Sequence, residues 1–243
     1  KQASEALERI IGRLLAGERQ TLVIGTGHGS CTCEGAAFEY VFNVDHVLSE
    51  RGVRHLAEVV YLSNEHELGD FGVGGMVFEH GGRRVTSEEW MTNLFAERGI
   101  KIILQAHVTE VAEGVVRYEQ IDGTHAELAF DFAMLLPPFR GVGLQAFDRD
   151  GADISDRLFA ANGFMKVDAD YTPKPYEQWS AGDWPTTYQS PAYSNIFAAG
   201  IAFAPPHAIS RPYETPSGAP VAPAPPRTGM PSGTQGKMVA QTV

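Results

Sequence analysis

The stretch Thr21–Tyr40, TLVIGTGHGSCTCEGAAFEY, does most to limit what this chain can fold into. Leu22, Val23 and Ile24 form an apolar run that breaks into glycines at Gly25, Gly27 and Gly29. A run ending in Gly-x-Gly reads as a strand delivering a tight turn, where backbone must approach something closely. From Gly35 the pattern turns helical, with Ala36, Phe38, Tyr40, Val41, Val44 and Val47 supplying an apolar face. The only two cysteines, Cys31 and Cys33, lie where that helix begins. A helix N-terminus carries partial positive charge, which favours a thiolate as much as a phosphate. The stretch therefore offers either a nucleotide site or a site for sulfur chemistry.

The residues that follow extend this unit. Arg51-Gly52 ends the helix with a basic last turn and a C-cap glycine, and Ala57–Leu62 reads as a second strand. A crossover helix between two strands implies a parallel sheet. After a glycine-rich connection, 69–76, residues 88–98 read as a helix capped by Ser87 or Thr86, and 100–104 as a third strand. Alternating strands begin at Val108, turn at Asp122-Gly123 and return over 125–130. Phe132–Leu136 is a short apolar strand stopped by Pro137-Pro138. The expected class is α/β: a Rossmann-like, FAD/NAD(P)-binding three-layer fold with a small antiparallel β-meander. Ahead of it, residues 3–16 form an amphipathic helix through Leu7, Ile10, Ile11, Leu14 and Leu15.

Beyond Gly141 the texture changes. Residues 163–168 (GFMKVD) and 196–201 (IFAAGI) read as strands, the second one buried, and a helix is expected from Lys237. Residues 204–231 hold many of the prolines and are expected to lack regular structure; a proline-rich loop this long is usually functional or disordered. The chain begins at Lys1 without an initiator Met and ends inside a helical pattern, so it is expected to be a piece of a longer protein. Its formal net charge of −11 argues against broad nucleic-acid binding. No stretch approaches the roughly 18–20 consecutive apolar residues that span a bilayer.

The dinucleotide fingerprint fits only in part. Gly25 and Gly27 match, but Ser30 stands at the third glycine position, and the acidic residue that would hold the ribose, Glu65, comes late because CTCEG is inserted. The thiol reading needs a cysteine of depressed pKa beside a proton acceptor. Cys33 stands directly before the helix, and Glu39 lies six residues on. Against these stand plainer readings: a cysteine as a small buried hydrophobe, Glu39 as a solvated helix face, His28 as a loop residue. Two thiols cannot close a zinc site and no His pair at metal spacing accompanies them, so no metal is expected.

GTGHGSCTCEGAAFEY, LLPPFRGVG, GFMKVD, NIFAAGIA and RTGMPSG occur in this order in chains of the sulfide:quinone oxidoreductase family, which this sequence resembles over nearly all its length. That family is a branch of the flavoproteins with two dinucleotide-binding domains. The specific piece is Cys33, Gly35, Phe38, Glu39 and Tyr40; the PPF-RG and IFAAG pieces are shared more widely. The resemblance implies an FAD-dependent enzyme that oxidises sulfide to polysulfide or sulfur and passes electrons to quinone. Cys33 would be a redox cysteine, Glu39 its acid/base, and Cys31 a spare thiol or alternative partner. Gly200 and Ile201, Thr228 and Gly229 at the start of a helix, and Pro138 would lie at the flavin. The wider superfamily has Asp where Ile201 stands.

The same resemblance implies a linking helix over 1–18, an NAD(P)-binding-like domain over 19–136 and an incomplete C-terminal part of the flavin domain over 137–243. Further reactive cysteines would lie before Lys1 and beyond Val243, and Asp70 stands where some relatives carry a His. The intact parent would be a peripheral protein of a prokaryotic cytoplasmic membrane, attached through C-terminal segments beyond this chain, with homo-oligomers possible. The piece itself is expected to be soluble, inactive and without tightly held FAD, its half after Gly141 lacking partner strands. Two other readings stay open: an NAD(P)H-dependent flavoprotein of the type II NADH dehydrogenase kind, and a non-catalytic binding domain that kept the fold.

Overall fold

The structure, a computed structural model, describes residues 2–243; Lys1, at the head of the expected linking helix, lies outside the described residues. The chain divides into two compact units, Lys1–Pro138 with Ile209–Ala224, and Phe139–Ala208 with Pro225–Val243.

The first unit opens with helix α1 (Gln2–Leu15), strand β1 (Gln20–Thr26), helix α2 (Glu34–Glu50) and strand β2 (Ala57–Leu62). A hairpin of β3 (Val77–His80) and β4 (Arg83–Thr86) leads into α3 (Ser87–Glu97), followed by β5 (Lys101–Ile103). Then come β6 (Ala106–Ala112), β7 (Val115–Gln120), β8 (His125–Ala129) and β9 (Phe132–Leu136). Strands β5, β2, β1 and β9, in that order, form a parallel sheet. The antiparallel meander β6–β7–β8 is a second sheet. This is the Rossmann-like α/β fold with its small antiparallel meander.

Strand periodicity explains the layers. Leu22 and Ile24 of β1, with Val59 and Tyr61 of β2, point into a core shared with Ile11, Leu14, Phe38, Val41, Leu48 and Phe95 from the three helices. Val23, Val60 and Leu62, the alternate residues, pack with Val108, Val116 and Tyr118 of the meander. Successive strand side chains face opposite sides of a sheet, so the apolar runs in β1 and β2 serve two cores at once. Helix α3 starts as its sequence predicts, with the Thr86 hydroxyl accepting from the Glu89 N–H at 3.1 Å. The β3–β4 hairpin turns at Gly81-Gly82, with φ of 58° and 77°, a two-glycine turn signal that the sequence reading passed over, and both strands are largely exposed.

The second unit departs most from the sequence reading. It contains α4 (Ser155–Leu158) and α5 (Gly229–Thr242). The expected strands at 163–168 and 196–201 are not strands: Met165 bridges Phe159 and Phe203, Phe197 bridges Gln189, and Gly200–Ala202 is a 3-10 turn. An apolar run becomes a strand only when a neighbouring ladder takes its N–H and C=O groups, and single bridges do not supply one. Helix α5 begins at Gly229, eight residues before the expected Lys237. The 204–231 segment is also more regular than expected. Its residues 209–224 belong to the first unit and carry a hairpin, β10 (Tyr213–Glu214) and β11 (Pro220–Val221).

Candidate functional site

The C-terminal ends of β1 and β2 carry the cysteine turn. Its backbone donors are used internally. Gly27 N–H donates to the Leu136 carbonyl (2.7 Å), Gly29 N–H to Nδ1 of His107 (3.3 Å), Ser30 N–H to Nδ1 of His28 (3.0 Å) and Cys31 N–H to the His28 carbonyl (3.1 Å). A phosphate-binding turn keeps such groups for its ligand. Here they are already satisfied.

The turn is also covered. Ala222 N–H donates to the Gly29 carbonyl (2.7 Å) and Ala224 N–H to that of Cys31 (2.8 Å), so the chain after β11 runs along it as a strap. Farther along, Ser210 hydroxyl donates to Asp70, Ser217 hydroxyl to Glu119, and Tyr213 stacks on His66 at 4.3 Å. Gly29 is required by this packing, because a Cβ there would lie 1.8 Å from the Pro220 carbonyl oxygen. Gly29→Ala must therefore displace the strap, and limited proteolysis is expected to cut within 209–224 at least about tenfold faster than in the parent chain, an opening of about 1.4 kcal/mol. Unchanged cleavage would show that the strap does not depend on this contact.

Cys33 is the N-cap of α2 and holds the left-handed conformation, φ 69° and ψ 37°. For a residue with a Cβ this costs on the order of 1 kcal/mol or more, and such strain gathers at functional positions. Its carbonyl accepts from the N–H groups of Ala36 (2.8 Å) and Ala37 (3.3 Å), which locks the turn onto the helix. The side chain is partly exposed, and both cysteines are thiols. Cys31 differs sharply: it is fully buried and donates to the Leu136 carbonyl at 2.8 Å. Burial pushes its thiol up to about 12, with nearby Glu34 adding to the shift against the hydrogen bonds from the turn.

Glu39 sits on α2 with its side chain exposed. Six residues of helix carry it about 9 Å along and about 240° around from the N-cap. Glu65, expected near a ribose, points inward. It is fully buried and accepts from Tyr61 hydroxyl (3.1 Å), Ser63 hydroxyl (2.9 Å) and Phe71 N–H (3.2 Å). Burial nevertheless raises its pKa to about 7. Glu34, in the first turn of α2, is buried with neither carboxyl oxygen hydrogen-bonded. Burial, then the charge of Glu65, raises it well above the usual carboxylate range. Sequence reading passed over Glu34 because a first-turn acid is ordinarily a solvated dipole partner.

Of the residues expected at a flavin, four lie in the second unit. Gly200 is buried with φ 64°, its N–H donating to Oε1 of Gln235 on α5 at 2.6 Å, and a Cβ there would meet the Ser232 hydroxyl at 2.8 Å. The Ile201 carbonyl accepts from Arg227 at 2.8 Å, and the Arg227 guanidinium lies 4.1 Å from the centre of the Phe164 ring. Thr228 is the N-cap of α5 without a side-chain cap bond, and Gly229 is the first helical residue. The structure thus brings Gly200, Ile201, Thr228 and Gly229 to one helix start. Pro138 closes the first unit, two residues past β9. Among the described residues there is no cluster of three or more His, Cys, Asp or Glu able to hold a metal, and no helix is long and apolar enough to cross a membrane.

No family model matches the chain. A curated sulfide-quinone reductase of Aquifex aeolicus (strain VF5) is 28% identical over 195 residues, 80% of this chain and 38% of that protein. The X-ray structure of the sulfide:quinone oxidoreductase from the same bacterium superposes with a TM-score of 0.67 at 26% identity, over 96% of this chain and 45% of the other. The chain resembles sulfide:quinone oxidoreductase in sequence and in fold. It spans 38% of the length of the first relative and 45% of the second.

Proposed function

We propose that this chain supplies the thiol-bearing part of a flavin-dependent oxidoreductase that oxidises sulfide and passes the electrons to quinone. The observation that carries the reading is the turn itself. Where a nucleotide-binding chain keeps open N–H groups, this one has spent them and presents Cys33 at a helix N-terminus. The similarity to a sulfide-quinone reductase supports it.

The residues of the second unit fit a flavin. Gly200 leaves no room for a side chain beside α5, and the first turn of α5 has no side-chain cap, leaving N–H groups for an electron-rich acceptor. Gly200, Ile201, Thr228 and Gly229 would hold that group, with Pro138 as a further contact. FAD, when bound, supplies a two-electron acceptor that can deliver to quinone. Cys33 acts as the nucleophile: its thiolate is favoured by the α2 dipole, and it exchanges with sulfur in a disulfide or persulfide by attack on one sulfur and release of the other. Glu39, in reach of solvent, takes protons away from thiol or hydrogen sulfide. Such a protein would sit at a prokaryotic cytoplasmic membrane, where quinone is dissolved.

The protein carrying this chain with its flavin tests the proposal. Sulfide is expected to bleach the oxidised flavin absorbance, and NADH is not. Bleaching by NADH with no response to sulfide would overturn it and favour a type II NADH dehydrogenase-like enzyme.

A further inference from the structure

The carbonyls of Gly29 and Cys31 each accept a second hydrogen bond besides the one from the strap. Both come from one side chain. The Asn64 amide, two residues past β2, donates through Nδ2 to Gly29 at 3.0 Å and to Cys31 at 3.3 Å. Its orientation is fixed by its other partner. Thr26, at the end of β1, accepts from the Asn64 N–H at 2.9 Å and donates its hydroxyl to Oδ1 at 3.2 Å. The two carbonyls can only accept, so the NH2 group must face the turn. Asn64 is 0% exposed and Thr26 1%. A polar group is held at that depth only when its hydrogen bonds are made, and here they go to the cysteine turn.

This hold bears on Cys33. Cys31 is fixed through its N–H to the His28 carbonyl, through its thiol to the Leu136 carbonyl, and through its own carbonyl to Asn64 and Ala224. Thr32 alone, itself buried, separates it from Cys33, whose carbonyl is fixed to α2 by Ala36 and Ala37. A residue with a Cβ stays in the left-handed region only while its surroundings over-determine it, and both flanks of Cys33 are fixed in this way. We propose that Asn64 is a positioning residue for Cys33. By joining two carbonyls of the turn to the end of β2, it keeps the thiol in the helix-capping placement from which it attacks sulfur, a role that rests on the thiol chemistry proposed above. It acts through the backbone of the turn.

Asn64→Ala removes both bonds and leaves those from the strap. In the protein carrying this chain, iodoacetamide labelling of Cys31, which is sealed in the parent, is expected to become at least about tenfold faster, with the labelled residue identified by tandem mass spectrometry. Below the unfolding transition the rate should not change with urea, because opening one turn exposes little surface, whereas exposure through global unfolding rises with urea. Unchanged labelling, or labelling that follows the global unfolding slope, would overturn the proposal. Asn64→Asp keeps the shape. As an acid it can donate to one carbonyl; as an anion it faces two carbonyl oxygens. Around this position stand Glu34 of α2, Glu65, Cys31 and His28 of the turn, and His107 of β6, which accepts from Gly29. Burial and the carboxyls favour its acid form above the usual Asp value of about 3.9. Cys31 labelling in this variant, divided by that of the parent at the same pH, should therefore rise at least about fivefold from about pH 5.5 to about 8.5. A ratio independent of pH would also overturn the proposal.

The effect on chemistry has its own signature. Asn64→Ala should slow the limiting rate at which sulfide bleaches the flavin by at least about tenfold and leave the half-saturating sulfide concentration within about threefold, since a misplaced nucleophile slows the step more than it weakens binding. A loss carried by the half-saturating concentration alone would refute the positioning role. Labelling of Cys31 involves neither flavin nor sulfide, so the hold on the turn can fail while sulfide oxidation stands, or be upheld while it falls.

Discussion

Replacing Cys33 with Ser is expected to lower sulfide-dependent quinone reduction by at least about 10³-fold in the flavin-containing protein, because a hydroxyl is neither ionised near neutral pH nor able to be left as a persulfide. The fold should be indifferent to the change. Cys33 is at a partly exposed cap, and the hydrogen bonds that fix its left-handed turn come from its backbone carbonyl, which serine keeps. Unfolding by urea should therefore show a midpoint close to the parent's while steady-state turnover with sulfide and a soluble quinone disappears. Turnover within a factor of ten of the parent would refute the role given to Cys33. Cys31→Ser makes a useful contrast, since it touches a fully buried thiol bonded to Leu136 and should act mainly on stability.

Phe95→Ala is expected to have the largest effect on stability, a loss of about 3–5 kcal/mol. Phe95 on α3 is fully buried, and its ring centre lies 5.5 Å from Phe38, 5.1 Å from Phe42 and 5.2 Å from Tyr61. These rings join α2 and α3 to β2. Phe38 also stacks on Tyr61 at 4.8 Å, and Tyr61 in turn donates to Glu65, so a cavity at Phe95 opens beside the residues that support the buried carboxyls. Domains of this kind have roughly 5–15 kcal/mol of stability in total, so the variant should be near or past the point of unfolding at 37 °C. Urea titration measures it directly, and Phe95→Leu, which keeps most of the volume, should cost under about 1.5 kcal/mol. Equal effects of the two would show that this core does not depend on ring packing.

The β1–α2–β2 unit and the meander were legible in the chain because their signals are local. The continuous apolar runs Leu22–Ile24 and Val59–Leu62, helical spacing after Gly35, and the Asp122-Gly123 turn each depend on residues a few positions apart. The placement of Cys33 just ahead of a helix was legible for the same reason. The second unit was not. IFAAGI has the composition of a buried strand, but a strand exists only with a partner, and among the described residues its one bridge runs from Phe197 to Gln189.

Side-chain fate at the turn was equally beyond sequence. Glu34 and Glu39 are both glutamates on one helix, and nothing in their neighbours tells that the first is sealed against Glu65 while the second meets water. Nor does any local pattern foretell that residues 209–224 return to cover Gly29 and Cys31. Local periodicity settles which way a residue faces relative to its own helix or strand. What lies against that face, and hence whether a carboxyl is an anion in solvent or an acid in the core, is set by segments that meet only after folding.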